Sequence, residues 1–150
     1  MAWGGERTIK MIREISKNDL TDDYFLLLSQ LSGTLTGYSV YNIWEAYLKG
    51  SSKTYVFIND DNQIIGSATI FVEHKFLHCG STIGHIEDVV VDTNLRVKGV
   101  GKSLVKKCIE FAKDQNCYKI ILDCSDDNVP FYEKCGFNVD CVCMRCTLEK

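Results

Sequence analysis

The sequence predicts a mixed α/β domain organised on one central sheet. Three observations carry that prediction. The chain has 150 residues, enough to bury about two-thirds of the surface its unfolded form exposes without disulfide staples. Its apolar periodicity switches repeatedly between a period near 2 and a period near 3.6. It holds a single proline, Pro130, and no repeat or low-complexity stretch, so no linker divides it. Residues 1–8 read as a loose tail and residues 9–150 as one domain.

The elements follow in order. Ile9 to Ile15 alternates in part and predicts a strand. Leu20 to Leu31 carries apolar residues at helical spacing after the polar Ser16-Lys17-Asn18-Asp19, a helix start. A shorter helix is expected from Val40 to Leu48, ending at Gly50. Thr54 to Ile58 and Ile64 to Val72 are rich in β-branched and aromatic residues. The turn signal Asn59-Asp60-Asp61-Asn62 makes them a hairpin. Gly84 to Val91 is a further strand, and Val89-Val90-Val91, apolar on both faces, suits a covered sheet. Val100 to Lys113 is the clearest helix: Val100, Leu104, Val105, Cys108, Ile109 and Ala112 form one stripe. Cys117 to Leu122 predicts a buried strand. Asn128 to Cys135 predicts a short helix, capped by Asn128, with Pro130 in its first turn and Gly136 at its end. Val139 to Leu148 closes the chain as a strand.

Composition excludes several classes. The net charge is −3 and the isoelectric point about 5.6, so no basic field draws nucleic acid. No apolar run approaches the roughly 18 residues of a membrane helix, and the N-terminus lacks the apolar core of a signal peptide. A soluble cytoplasmic protein is expected. The eight cysteines then read as free, mostly buried thiols. Cys141, Cys143 and Cys146 form C-x-C-x-x-C. Neither a nearby histidine nor the paired C-x-x-C of a zinc ribbon accompanies them, so no metal is expected.

Two segments carry chemistry. Arg96-Val97-Lys98-Gly99-Val100-Gly101 follows a strand and opens a helix. Glycines there let the backbone approach an anion, and the free N–H groups of the helix start point at it. The dinucleotide fingerprint G-x-G-x-x-G does not fit; a plain turn before a core helix is the competing reading. About thirty residues on, Asn128-Val129-Pro130-Phe131-Tyr132-Glu133-Lys134-Cys135-Gly136-Phe137 reads N-x-x-F-Y-x-x-x-G-F. Together the two segments resemble motifs A and B of the GNAT superfamily of N-acetyltransferases. Three further strings narrow the resemblance: Glu73-His74-Lys75-Phe76-Leu77-His78, Gly84-His85-Ile86-Glu87-Asp88-Val89-Val90-Val91, and Cys117 to Cys124. They are similar to the branch of that superfamily which acetylates glucosamine 6-phosphate. The likeness runs from about Leu20 to Phe137.

The resemblance implies a mostly antiparallel sheet splayed open to admit acetyl-CoA as co-substrate. It implies that Val89, Val90, Val91, Arg96, Val97, Lys98, Gly99, Val100, Gly101, Lys102 and Asn128 hold that co-substrate, with Tyr132 assisting departure of the thiolate. It places the amino-sugar phosphate against Ser32, Lys75, Phe76, Leu77, His78, Glu87, Asp88, Tyr118 and Lys119. Ser32 stands where the family usually has threonine. Lys75 and Lys119 are the cations a phosphate needs. Glu87 and Asp88 are adjacent, so on a regular strand they point to opposite faces. Asp123, ending a strand, could orient the amine or take its proton; Glu87, Asp123 and Tyr132 are the catalytic candidates. His85 reads as a structural histidine rather than a base. The family also implies a homodimer in which a C-terminal arginine reaches the neighbouring site. Here that position holds Thr147, and Arg145, two residues earlier on the same strand face, is the candidate replacement. Acylation of a protein amine or polyamine, and a non-catalytic acyl-CoA-binding module, are the competing readings. Lys75 with Lys119 disfavours the first, and Glu87, Tyr118, Asp123 and Tyr132 together disfavour the second.

Overall fold

A computed structural model describes residues 11–33, 37–95 and 97–149. The predicted tail at residues 1–8 and Arg96 of the glycine loop lie outside them. Besides a single turn at Leu77–Gly80, in which His78 and Cys79 are not helical, the chain within these bounds forms five strands and four α-helices: β1 (Ile12–Glu14), α1 (Asp22–Leu28), α2 (Val40–Lys49), β2 (Ser52–Ile58), β3 (Ile64–His74), β4 (Thr82–Val91), α3 (Val100–Asp114), β5 (Cys117–Ile121) and α4 (Val129–Lys134). The strands lie in sequence order. β1 to β4 pair antiparallel, and β5 joins β4 in parallel.

α3 lies across one face of the sheet. Its stripe of Val100, Leu104, Val105, Cys108 and Ala112 is fully buried against Ile65, Ala68, Ile70 and Ile86. The helix comes this close because β3 yields at Gly66. A Cβ there would stand 2.8 Å from Val100 Cγ1 and 2.9 Å from Leu104 Cδ1. α1 and α2 cover part of the other face. Tyr24 meets Ser67 Oγ at 2.9 Å, the Thr54 N–H donates to Tyr47 Oη at 2.9 Å, and Trp44 packs beside Val56. The β2–β3 turn is held by Asn59, whose Oδ1 accepts from the N–H groups of Asp61 and Gln63.

Several expectations are corrected. Ser16 to Asp19 does not start α1. Ser16 instead leads a separate 3₁₀ turn, Lys17–Asp19, held by the Ser16 N–H to Asp19 Oδ2 at 2.7 Å. Thr21 caps α1, accepting from the Tyr24 N–H. Asn128 makes no side-chain cap. Its φ and ψ of −93° and −7° are already helical, because the 3₁₀ turn Asp126–Asn128 runs straight into α4. β5 is half-exposed rather than buried, since nothing in the chain pairs with its outer edge among the described residues. The largest correction is Val139 to Leu148, which forms no strand here. Its apolar alternation marks a segment ready to pair without naming the partner, and Val142 and Met144 are 88% and 91% exposed. The thiols are all free as expected, but only Cys108 is buried; Cys79, Cys124, Cys141, Cys143 and Cys146 are exposed.

Candidate active site

The site is made by a break in the sheet. β4 and β5 pair from Thr82↔Cys117 to His85↔Ile121, with one register shift after Thr82, and then part. β4 runs on to Val91 with no β5 partner, so its backbone polar groups on that side face a gap. A bulge sits at the same place. Ser67 pairs with Val90 and Thr69 with Glu87, leaving Asp88 and Val89 together opposite Ala68. Asp88 takes a left-handed φ of 51°. The expectation that Glu87 and Asp88 sit on a regular strand is therefore corrected: the bulge interrupts the alternation, and both acids are exposed.

The gap opens into a cleft of about 250 Å³. Val89 and Val91 of β4 form one wall. Val97, Gly99, Val100 and Gly101 form the floor, with Asn128, Phe131 and Tyr132 of the α4 region opposite. Val90 contributes backbone only, its side chain being buried. Gly99 stands at the N-cap of α3 with a left-handed φ of 84°, a conformation that costs a Cβ-bearing residue. The first intrahelical bond is Ser103 N–H to Gly99 O, 3.0 Å. The N–H groups of Val100, Gly101 and Lys102 are therefore left for an anion. Space above Gly99 is open, with no atom within 4 Å of a built Cβ. Gly101 serves differently. A Cβ there would meet the Phe131 ring at 3.1 Å and Val91 at 3.4 Å, so its role is to let α4 close over the α3 start. A narrow cleft floored by open N–H groups, with exposed Lys98 and Lys102 beside it, fits a pyrophosphate and its pantetheine arm.

Tyr132 stands at the inner end. Burial pushes its hydroxyl up to about 12, helped by nearby Cys124, Cys135 and Asp123. Burial also raises the Glu87 carboxyl, followed by the charges of Asp123 and Asp88. The Asp123 charge reaches both groups, so the three residues lie near one another.

The remaining predicted residues form a second cluster. Lys75 Nζ is 3.4 Å from Glu73 Oε2, and Glu73 pairs with Ile83. Lys119 is level with Ile83 too. The His78 ring lies 4.7 Å from the Tyr118 ring, and Lys119 Nζ sits 5.7 Å over Tyr118. Lys75, Phe76, Leu77, His78, Tyr118 and Lys119 are not among the residues that line the cleft. Ser32 and Arg145 are exposed, and Arg145 lies in the unpaired C-terminal segment. His85 is held by Glu73, Nε2 to Oε1 at 3.0 Å, which agrees with its structural reading.

Two contributors were given no role by the sequence. Phe131, the F of the N-x-x-F-Y motif, forms a cleft wall. Gln30, at the end of α1, accepts from the Thr93 N–H at 3.1 Å and donates to Asp92 at 3.2 Å. It anchors the loop after β4 across a separation that no local pattern reveals.

Residues 10–137 match the acetyltransferase (GNAT) family. A glucosamine 6-phosphate N-acetyltransferase of Trypanosoma brucei brucei is 38% identical over 129 residues, spanning 84% of this chain and 87% of that protein. One from Candida albicans is 34% identical over 140 residues, spanning 93% and 82%. The crystal structure of the Arabidopsis thaliana glucosamine-6-phosphate N-acetyltransferase superposes with a TM-score of 0.83 at 32% identity, covering 92% of this chain and 97% of that one. With the glycine-floored cleft, the strand break at His85 and the half-buried Tyr132, these likenesses establish that the chain belongs to the GNAT family of acetyltransferases.

Proposed function

We propose that this protein transfers the acetyl group of acetyl-CoA to the amine of glucosamine 6-phosphate, giving N-acetylglucosamine 6-phosphate for UDP-N-acetylglucosamine synthesis. The observation that carries the reading is the cleft where β4 and β5 part, floored by Gly99 and Gly101 and lined by Val89 and Tyr132, with the Glu87 and Tyr132 groups both within reach of the Asp123 charge. An amine reaches the site as an ammonium, and carboxylates draw it in. Glu87, with its raised carboxyl, and Asp123 accept the proton that must leave before nitrogen attacks the thioester carbon. The N–H groups of β4 near Val89 polarise the thioester carbonyl. The Tyr132 hydroxyl, protonated at every ordinary pH, donates to the departing sulfur. No covalent enzyme intermediate is needed, so the exposed thiols need take no part, and holding two substrates in register supplies much of the rate.

The reading extends to assembly. Lys75, His78, Tyr118 and Lys119 line no part of the cleft of their own chain, and we assign them to the cleft of a second copy in a homodimer. The surface supports this: Phe76 and Leu77 are 105% and 65% exposed, and Val139, Val142, Met144 and Leu148 are as bare. Such apolar area marks an interface. Pairing of Val139 to Leu148 with the partner would cover it and carry Arg145 toward the neighbouring phosphate. Eight free thiols suit a reducing compartment, and we place the enzyme in the cytoplasm.

A thiol-release assay with acetyl-CoA tests the substrate. Glucosamine 6-phosphate should support turnover well above glucosamine and a lysine peptide. Equal or better turnover with the peptide would overturn the assignment.

A further inference from the structure

Glu73 lies outside the cleft, and the reaction as described makes no use of it. It is nevertheless the hub of a small charged cluster. Its Oε1 faces His85 Nε2 at 3.0 Å and its Oε2 faces Lys75 Nζ at 3.4 Å. His85 is fixed in turn by the Phe71 ring, centroid to centroid 5.5 Å. His85 and Lys75 together hold the Glu73 carboxyl below the usual carboxylate range, the hydrogen bond from His85 being the larger influence.

The segment that follows has little else to hold it. Lys75 N–H donates to Ser81 O at 2.9 Å, closing the loop. Within it His78, Cys79 and Gly80 all take left-handed φ values of 50°, 58° and 80°. Phe76 and Leu77 point into solvent. The side chains that tie this loop to its own chain, among the described residues, are Lys75 through Glu73 and His78 through Tyr118. A lysine has four rotatable bonds and loses much of its rotamer freedom when fixed. A phosphate site that relies on it gains if that freedom is already lost before the substrate arrives.

We propose that Glu73 is a positioning residue for substrate recognition: braced by His85, it holds the Lys75 ammonium in place to receive the 6-phosphate of the amino-sugar. This rests on the glucosamine 6-phosphate reading above and deepens it. Glu73 touches neither substrate nor co-substrate. Its Oε1 is engaged by His85, which leaves Oε2 for the Lys75 ammonium.

Steady-state kinetics of Glu73→Gln, Lys75→Ala and the double variant decide the matter, each with glucosamine 6-phosphate and with glucosamine. Glu73→Gln keeps the shape and a hydrogen bond to His85 but removes the charge that holds Lys75. The expected result is a KM for glucosamine 6-phosphate raised about three- to tenfold, the range of an exposed ion pair. kcat, the KM for acetyl-CoA and the KM for glucosamine should stay as in the unaltered protein. In the Lys75→Ala background Glu73→Gln should add nothing, since the two residues act as one unit. An unchanged or lowered KM for the phosphorylated sugar in Glu73→Gln overturns the proposal. So does an equal loss with both sugars, or additive effects in the double variant. If the unaltered protein shows no preference for the phosphorylated sugar, the substrate reading itself fails, and Glu73 with it.

Discussion

Tyr132 shows how one residue can be specified by its surroundings. Half-buried between Phe131 and Phe137, with ring centroids 4.9 and 6.0 Å away, it keeps its proton to about pH 12. A raised value in the folded state means the donor form is present at every working pH. The activity of the unaltered protein should therefore show no alkaline loss from this tyrosine below about pH 10; a kcat profile measured to that point checks it. Tyr132→Phe removes one hydroxyl and almost no volume. Acetyl transfer should fall by roughly 10² to 10⁴, the usual range for a general acid, while calorimetric binding of acetyl-CoA stays close to the unaltered value. Full activity in this variant would make the tyrosine a packing residue.

At the level of elements, two glycines decide how α3 seats. Gly66→Ala places a methyl 2.8 and 2.9 Å from buried Val100 and Leu104. Overpacking of this kind costs about 1–3 kcal/mol, so urea unfolding should shift to a lower midpoint with an unchanged slope. Gly99→Ala meets no neighbour, yet its φ of 84° carries a backbone cost of about 1–2 kcal/mol. That strain relaxes by moving the α3 start, so affinity for CoA should drop more than stability does. Gly101→Val would instead push Phe131 aside, and loss of CoA binding there would report a displaced α4. A third tie is electrostatic. Arg13 grips Asp19 with two nitrogens, at 2.7 and 2.8 Å, joining β1 to the turn before α1. The arginine holds the Asp19 carboxyl below its ordinary value, and so Asp19 stabilises the fold above about pH 4. That contribution is lost as pH falls through the lowered folded value, and it is modest because Arg13 is 47% exposed. Asp19→Asn should reduce stability at pH 7 and make no difference at pH 2, as denaturant titrations at the two values would show.

For the whole molecule, the decisive question is what covers the C-terminal segment. If Val139 to Leu148 pairs with a second copy, ending the chain after Phe137 should yield a monomer by sedimentation with little acetyl transfer and an intact α3 core. Mixing also tests the shared site. Lys75→Ala and Tyr132→Phe chains are each defective alone, yet in a mixed dimer one site receives Lys75 from one chain and Tyr132 from the other. Such mixtures should recover up to about half of one site's share of activity. An active monomer, or mixtures no better than their components, would defeat the homodimer.

What the sequence by itself determined is local. The stripe of α3 was legible from Val100 to Ala112 because a helix buries every third and fourth residue whatever it packs on. The β2–β3 hairpin was legible because Asn59 writes its own turn. The glycine loop was legible because φ values such as that of Gly99 are open to few other residues, and Tyr132 stood out within a motif of fixed spacing. Only the tertiary structure decided the rest. The bulge that turns Asp88 depends on a one-residue mismatch with Ala68, which belongs to another strand. Gln30 reaches Thr93 across 63 positions. Lys75, Phe76, Leu77, His78, Tyr118 and Lys119 stand outside the lining of the cleft, around the start of β4 and β5. The apolar alternation of Val139 to Leu148 resembles that of any paired strand, and whether a strand forms depends on finding a neighbour, which a period of two cannot express.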